Sequence, residues 1–282
     1  MMHKQFYKNH HIRKRFGQHF LINVNIINRI ISAINPQSND YIIEIGPGLG
    51  ALTEPIIKYL DNLTIIEIDR DLVRRLSDNN HINKKIIILE KDVMNVNFSK
   101  LIQKNKKMRI FGNLPYNIST KIIFYLFNYI TFIKDMHFML QKEVADRLVA
   151  KPGEKSYGKL TIMAQYYCQI IPLFTISSGS FFPSPNVDSV MVRLIPHQII
   201  PYPAIDMCML NFIVNEAFKK RRKILRNSLK NIFTAEVLEL FGICPLSRAE
   251  NISGEQYIKL ANSISNQYSL VKKNIFPISI GH

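Results

Sequence analysis

Runs of β-branched and other apolar residues at Tyr41–Ile45, Leu63–Ile68, Ile86–Glu90, Arg109–Gly112 and Met136–Leu140 alternate with stretches of helical character, and no other feature limits the fold of this chain so much. Runs this apolar suit strands buried on both faces, and strands separated by helix-length connections pair in parallel through crossovers. The alternation predicts an α/β protein built on a parallel sheet. Val187–Ile195, which follows the proline-rich FFPSP, is the last strong strand candidate and stops at Pro196. His197–Pro203 holds further prolines and no periodic pattern, as a linker would. Beyond it, Ile205–Phe233, Ala235–Phe241 and Ser253–Ser265 read as helices, the last with Ser253 and Gln256 spaced as a capping box. Two domains are expected: residues 1–198, with a flexible basic N-terminus carrying Lys4, Lys8, Arg13, Lys14 and Arg15, and a helical 199–282.

Lys and Arg number 37 against 21 Asp and Glu, a net charge of +16. An excess of this size favours a polyanionic partner. Compositional drift toward Lys, Asn and Ile explains scattered lysines but not clustered arginines. Cys168, Cys208 and Cys244 lie far apart with no CxxC pair, so they read as packing thiols in a reducing cytoplasm, and no metal site is expected. The apolar stretch Ile122–Ile133 is interrupted by Asn128 and falls short of a membrane span. It reads as a buried helix, and no membrane association is expected.

The segment YIIEIGPGLGALTEPI, Tyr41–Ile56, reads strand, glycine turn, helix. Gly46, Gly48 and Gly50 let the backbone turn sharply and approach a ligand that a Cβ would strike. The spacing does not decide the ligand, because Gly46, Gly48 and Ala51 also satisfy the dinucleotide fingerprint GxGxxA. Glu67, near the end of the second strand, is placed to accept hydrogen bonds from both ribose hydroxyls of a nucleoside. Both cofactor classes use an acid there. Asp92, just after the third strand, is placed to accept from an adenine amino group, although taken without other motifs a plain turn aspartate is the better account of it.

FGNLPYNIST, Phe111–Thr120, is the more informative string. An exocyclic adenine amine is a poor nucleophile because its lone pair is delocalised into the ring. The side-chain oxygen of Asn113 and the carbonyl of Leu114 are suited to accept its two hydrogens and favour the pyramidal nitrogen. Pro115 stiffens the turn, and Tyr116 offers a ring for the base to stack on, a contact worth about 1–3 kcal/mol. A proline turn entering a helix near Ser119 accounts for Pro115 but gives no use to the aromatic beside it.

The strings RFGQHFL, EIGPGLGALTEP, IEIDRDL, FGNLPYNIST, FFPSPNVDSVMVRL, FKKRRKILRNSL and RAENIS run in order from Arg15 to Ser253, and together they resemble the small-subunit ribosomal RNA adenine N6,N6-dimethyltransferase family. The erythromycin-resistance methyltransferases and the mitochondrial transcription factor B relatives share the catalytic strings, but the C-terminal strings match the dimethyltransferases. The resemblance implies a class I S-adenosylmethionine-dependent methyltransferase, Rossmann-like, with a seven-stranded, mostly parallel sheet whose last strand is antiparallel, followed by a small all-helical domain. It implies cofactor contacts at His19, Leu21, Gly46, Gly48, Glu67, Asp92 and Asn113, and catalytic roles for Asn113, Leu114, Tyr116 and Phe181. Phe181 would sandwich the target base opposite Tyr116; Phe182 and Ser184 vary from common members of the family. S-adenosylmethionine is the implied methyl donor, without a metal. The implied substrate is small-subunit (16S) ribosomal RNA or its precursor (pre-30S) particle, bound by a monomer. Two other readings stay open: an NAD-dependent oxidoreductase, which has no use for Asn113, and a non-catalytic assembly factor that keeps the fold.

Read as one helix, Val214–Phe233 places Val214, Phe218, Leu225, Leu229 and Ile232 on one arc and Lys219, Arg222, Lys223, Arg226 and Lys230 on the next. An ordinary solvated face is the commoner fate of such a run. Its density in a chain of net charge +16 favours phosphate contact instead, with Arg222 and Arg226 as the better anchors.

Overall fold

The computed structural model describes residues 6–7, 10–13, 17–220 and 222–275. Lys4, Lys8, Lys14 and Arg15 lie outside the described residues. The chain divides into two compact units, 1–145 with 168–196 and 146–167 with 197–282. The sequence-based boundary at 198/199 differs from this division, because nothing in the composition of 146–167 marks it as an excursion into the second unit.

In the first unit β1 (Tyr41–Ile45), β2 (Leu63–Glu67), β3 (Ile86–Glu90), β4 (Met108–Asn113), β5 (Ile133–Gln141), β6 (Cys168–Ile176) and β7 (Ser189–Pro196) form one sheet. The seven strands run in the order β3-β2-β1-β4-β5-β7-β6. The five strands from β3 to β5 are parallel. β7 inserts antiparallel between β5 and β6. This order departs from the dinucleotide-binding arrangement, in which a sixth strand simply follows the fifth. β6 escaped the sequence reading because it carries Pro172 and a mixed burial pattern, both tolerated at a sheet edge.

Local chemistry sets the ends of the flanking helices. In α1 (Val24–Ile34) the Asn23 side chain accepts the N–H groups of Asn25 and Ile26, and Asn35 closes the helix in the left-handed region at φ 47°. Asp69 starts α2 (Arg70–Ser77) in the same way, by accepting the Asp71 N–H. Ile30, Ile31 and Ile34 of α1 fall on one face and pack into the cluster that holds Ile42, Ile56, Leu60, Ile65 and Phe111. Each such side chain stabilises by about 1.5–3 kcal/mol relative to exposure. The stretch Ile122–Ile133 is not one buried helix. Asn128 caps α3 (Ser119–Phe127), a 3-10 turn covers Ile130–Phe132, and Ile133 opens β5.

At the opposite end of the sheet from the glycine turn, Arg109 is 6% exposed and uses its whole guanidinium. Nε and Nη2 donate to the Asp135 carboxylate at 2.9 and 3.1 Å, and Nη1 donates to Asp40 at 2.6 Å. Nη2 and Nη1 also reach the carbonyls of Ile34 and Asn35 at 2.6 and 3.2 Å, so Arg109 supplies the C-terminus of α1 with the donors it lacks. Burial works to raise the Asp135 carboxyl, but the hydrogen bonds and charge of Arg109 outweigh it and hold the group below its ordinary value.

The second unit is helical. Leu210, Ile213, Val214 and Ala217 of α4 (Met207–Phe218) are buried. The expected single helix Ile205–Phe233 does not form. α4 ends at Phe218, and a separate turn, α5, covers Leu225–Ser228. The N–H groups of Leu225 and Arg226 donate to the carbonyls of Ser247 and Pro245, and this tertiary pairing replaces the helical one. Tyr257, Leu260 and Ala261 of α6 (Gly254–Ile275) are buried as well. The capping box forms: the Ser253 N–H donates to Gln256 Oε1 at 3.0 Å and the Gln256 N–H to Ser253 Oγ at 3.2 Å. Of the cysteines, Cys168 is buried, but Cys208 and Cys244 are exposed and are not packing thiols. Among the described residues no helix is long and apolar enough to cross a membrane.

Replacing Arg109 with methionine would leave two buried carboxylates with only their more exposed cations, Lys134 at Asp40 and Arg193 at Asp135. Arg109→Met is expected to lower unfolding stability by about 3–5 kcal/mol in urea titration. A fall under about 1 kcal/mol would show that Lys134, Arg193 and water take over the role of the guanidinium.

Candidate active site

The carboxyl ends of β1, β2 and β4 open into a cavity of about 880 Å³. Its floor is the glycine turn. Gly46, Gly48 and Gly50 all have positive φ, at 69°, 59° and 84°, and the Gly46 N–H donates to the Ile66 carbonyl at 2.9 Å. A Cβ on Gly48 would sit 3.1 Å from the Phe20 ring, so a side chain there would crowd the ring as well as strain the backbone. Glu67 stands at the end of β2, 7% exposed, its Oε1 accepting the N–H groups of Ile68 and Asp69 at 2.9 Å each. Burial pushes its carboxyl up to about 7, although these N–H groups and that of Gly48 pull the other way. Asp92 also lines the cavity and caps a 3-10 turn by accepting the Met94 N–H at 2.9 Å.

The second wall is the NLPY loop. Asn113 ends β4, and its Nδ2 donates to the His19 carbonyl at 2.8 Å, which leaves its amide oxygen as an acceptor. Leu114 is buried. The Tyr116 hydroxyl shares a 2.8 Å hydrogen bond with the Ser189 hydroxyl, and burial raises its pKa. His19 stacks on the Tyr116 ring, centroids 5.3 Å apart at 23°, while its Nδ1 lies 2.6 Å from the Pro183 carbonyl. Leu21 joins the same wall. His19, Leu21, Gly46, Gly48, Glu67, Asp92, Asn113, Leu114 and Tyr116 thus meet around one cavity.

Phe181 does not join them. It is 2% exposed and packs in the core cluster of the sheet. Phe181 and Phe182 form a short strand paired with Phe20 and Leu21, and strand alternation sends the two rings to opposite faces. Phe182 lands on Tyr7, with centroids 4.9 Å apart. His19 covers one face of Tyr116, while Phe181, which the resemblance implied would sandwich the base opposite Tyr116, is turned into the core.

The five basic residues of the second unit are all exposed, but they do not share one helical arc. Lys219 caps α4, Arg222 and Lys223 lie in the turn that follows, Arg226 is in α5, and Lys230 comes after it. Lys219, Lys220, Arg222 and Lys223 line one cleft.

Sequence reasoning passed over Glu44, which is 2% exposed in β1 and accepts the Thr53 hydroxyl at 2.6 Å. An acid in the middle of an apolar strand run was the available signal. Burial, opposed by the Thr53 hydrogen bond and helped by the charge of Glu67, pushes its carboxyl up to about 8. A folded-state pKa raised from 4.5 to about 8 contributes stability that is fully present below pH 4.5 and is lost as pH rises through about 8. Glu44→Gln keeps an acceptor for Thr53 and cannot ionise. Its stability relative to the parent should therefore rise between pH 4.5 and about 8, as read by thermal unfolding. A pH-independent difference would mean that Glu44 ionises freely in the fold.

A family model for ribosomal RNA adenine dimethylase matches residues 9–266. The chain is 52% identical over 267 residues to ribosomal RNA small subunit methyltransferase A of Photorhabdus laumondii subsp. laumondii, spanning 94% of this chain and 98% of that one. It is 53% identical over 266 residues to the protein of that name from Klebsiella pneumoniae strain 342, spanning 94% and 97%. Among solved structures, a dimethyladenosine transferase from Plasmodium falciparum superposes with a TM-score of 0.74 at 26% identity, over 89% of this chain and 98% of that one. The 23S rRNA methyltransferase ErmE, at 20% identity and a TM-score of 0.67 over 87% and 99%, shares the fold. The match over nearly the whole chain removes the NAD-dependent oxidoreductase from consideration: this chain belongs to the ribosomal RNA adenine dimethylase family.

Proposed function

We propose that the chain transfers methyl groups from S-adenosylmethionine to N6 of two adjacent adenosines near the 3′ end of 16S ribosomal RNA, giving N6,N6-dimethyladenosine during small-subunit assembly. The observation that carries this reading is the Asn113 amide. Its nitrogen is committed to the His19 carbonyl, so its oxygen is held ready to accept from an exocyclic amine beside the Tyr116 ring.

The cavity residues fit the methyl donor. The glycine turn offers a wall without Cβ atoms, and Glu67 is a buried carboxylate whose hydrogen bonds come from backbone N–H groups alone. Two ribose hydroxyls would supply the donors that a carboxylate raised to about 7 lacks. Asp92 is placed for the adenine amino group, with His19, Leu21, Gly46 and Gly48 forming the remaining contacts. When bound, the sulfonium supplies an electrophilic methyl group.

This chain's own residues prepare the nucleophile. The Asn113 oxygen and the Leu114 carbonyl accept the N6 hydrogens, which disfavours delocalisation into the ring and turns the lone pair outward. Tyr116 receives the base on the face that His19 leaves open, and the Ser189 hydrogen bond fixes the ring's tilt. The methylated nitrogen is acidic and loses its proton readily, so a strong base is not needed. RNA is held through Lys219, Arg222, Lys223, Arg226 and Lys230, with the arginines as bidentate phosphate anchors.

Incubating the protein with labelled S-adenosylmethionine and unmethylated small subunits, then mapping nucleosides by mass spectrometry, tests the assignment. Dimethyladenosine is expected from the parent. Tyr116→Ala should lower turnover by about tenfold or more at saturating RNA, because it removes the stacking surface, and Tyr116→Phe should be milder. Parental turnover in Tyr116→Ala would remove the stacking role.

Arg222→Glu combined with Arg226→Glu should leave cofactor affinity unchanged and raise the KM for RNA. For every phosphate that is no longer neutralised, the plot of log K against log salt should flatten by about 0.7–0.9. An unchanged slope would mark these side chains as merely solvated.

A further inference from the structure

Asp69 is completely buried, yet it does not line the cavity. Its carboxylate collects one stretch of chain. Arg13 Nη1 lies 3.1 Å from Oδ1, Gln18 Nε2 donates to Oδ2 at 2.8 Å, and His10 Nε2 lies 3.7 Å from Oδ2. Oδ1 is also the atom that accepts the Asp71 N–H, at 3.1 Å, so one group both caps α2 and holds this stretch. Gln18 is used at both ends of its amide, since its Oε1 accepts the Arg13 N–H at 2.8 Å. Arg13 forms a second ion pair, with Asp71. Between these ties Ile12 and Phe20 pack against Leu72, with Tyr7 and Phe182 alongside.

The stretch held in this way is the N-terminal wall of the cavity. Gly17, Gln18, His19, Phe20 and Leu21 all line it. Directly after Gln18, the His19 carbonyl receives Asn113 and the His19 ring stacks on Tyr116. On the other side, the Asp69 N–H donates to Glu67. One buried carboxylate therefore links the acid expected to hold the ribose to the segment that braces the NLPY loop.

We propose that Asp69 is a positioning residue. It latches residues 10–13 and 17–21 beside the cavity, and that latch sets how long S-adenosylmethionine stays bound and how firmly His19 holds Asn113 and Tyr116. The inference rests on the cofactor reading given above. A nucleoside enclosed by Gln18, His19 and the glycine turn leaves only when this wall moves, and moving it breaks charge-assisted hydrogen bonds to a carboxylate buried too deeply for water to replace them.

The test compares Arg13→Ala, Arg13→Lys, Gln18→Leu and Asp69→Asn with the parent in the full chain. Amide exchange at residues 17–21 is measured without ligand, and release of S-adenosylmethionine is measured by stopped flow. Arg13→Ala, Gln18→Leu and Asp69→Asn should each speed exchange at 17–21 and raise the release rate about tenfold, while Arg13→Lys recovers part of the effect. Arg13→Ala combined with Asp69→Asn should fall well short of the product of the two single effects, exceeding Asp69→Asn alone only by the loss of the exposed Arg13–Asp71 pair. Unchanged exchange at 17–21 in Arg13→Ala and Gln18→Leu overturns the proposal, even if Asp69→Asn fails to fold for want of its helix cap. Multiplicative effects in the double variant overturn it too. If the parent does not bind S-adenosylmethionine, the cofactor reading fails, and the exchange arm still decides whether the latch exists.

Discussion

A guanidinium buried with two carboxylates at one end of a parallel sheet leaves the other end free to be polar. Arg109 is the second residue of the strand that runs up to Asn113, and its partners are Asp40, just before β1, and Asp135, near the start of β5. By binding the carbonyls of Ile34 and Asn35 as well, Arg109 fixes α1 against the strands it precedes. Charge repays its desolvation here only because every donor is used. The N-terminal ends of the strands are thereby closed and stiff. Ligands of open α/β sheets bind at the carboxyl ends, and that is where this sheet places its glycines and its raised carboxylates.

Those carboxylates are the energetic reverse of Arg109. Glu44 and Glu67 are buried without a cation, and burial pushes them to about 8 and about 7. A fold selected for stability alone would have no reason to keep two acids close to a strained glycine turn. Buried groups with raised pKa values, gathered at one cavity, are the usual sign of a site that waits for its donors. Gly112, beside Asn113, shows the same demand in steric form, since a Cβ there would run into the Ile45 carbonyl oxygen.

The N-terminal segment gains its order from outside itself. On sequence grounds it is a basic tail, and Arg13 reads as one of its loose charges. Its described part instead meets Asp69, which the structure also uses as the cap of α2. Asp69 does cap α2, but it also has lone pairs left over, and the tail supplies the donors. The same arithmetic of donors and acceptors explains why the helix breaks before Leu225, because the carbonyls of Ser247 and Pro245 take the N–H groups of Leu225 and Arg226 that a continuous helix would pair four residues back.

The sequence by itself determined the five parallel strands, the glycine turn, the capping box at Ser253 and nine of the residues that meet around the cavity. Those features depend on periodicity, on backbone freedom and on short spacings, all of which are local. The motif strings carried the family, because side chains that touch one ligand leave their types in fixed local order. Only the tertiary structure decided that Pro172 lies in an edge strand, that Phe181 faces the core while His19 takes the face of Tyr116, and that Val214–Phe233 breaks in two. Each of these turns on which distant group satisfies a hydrogen bond or covers a ring, and residues far apart in sequence leave no mark of that choice until the chain has folded around them.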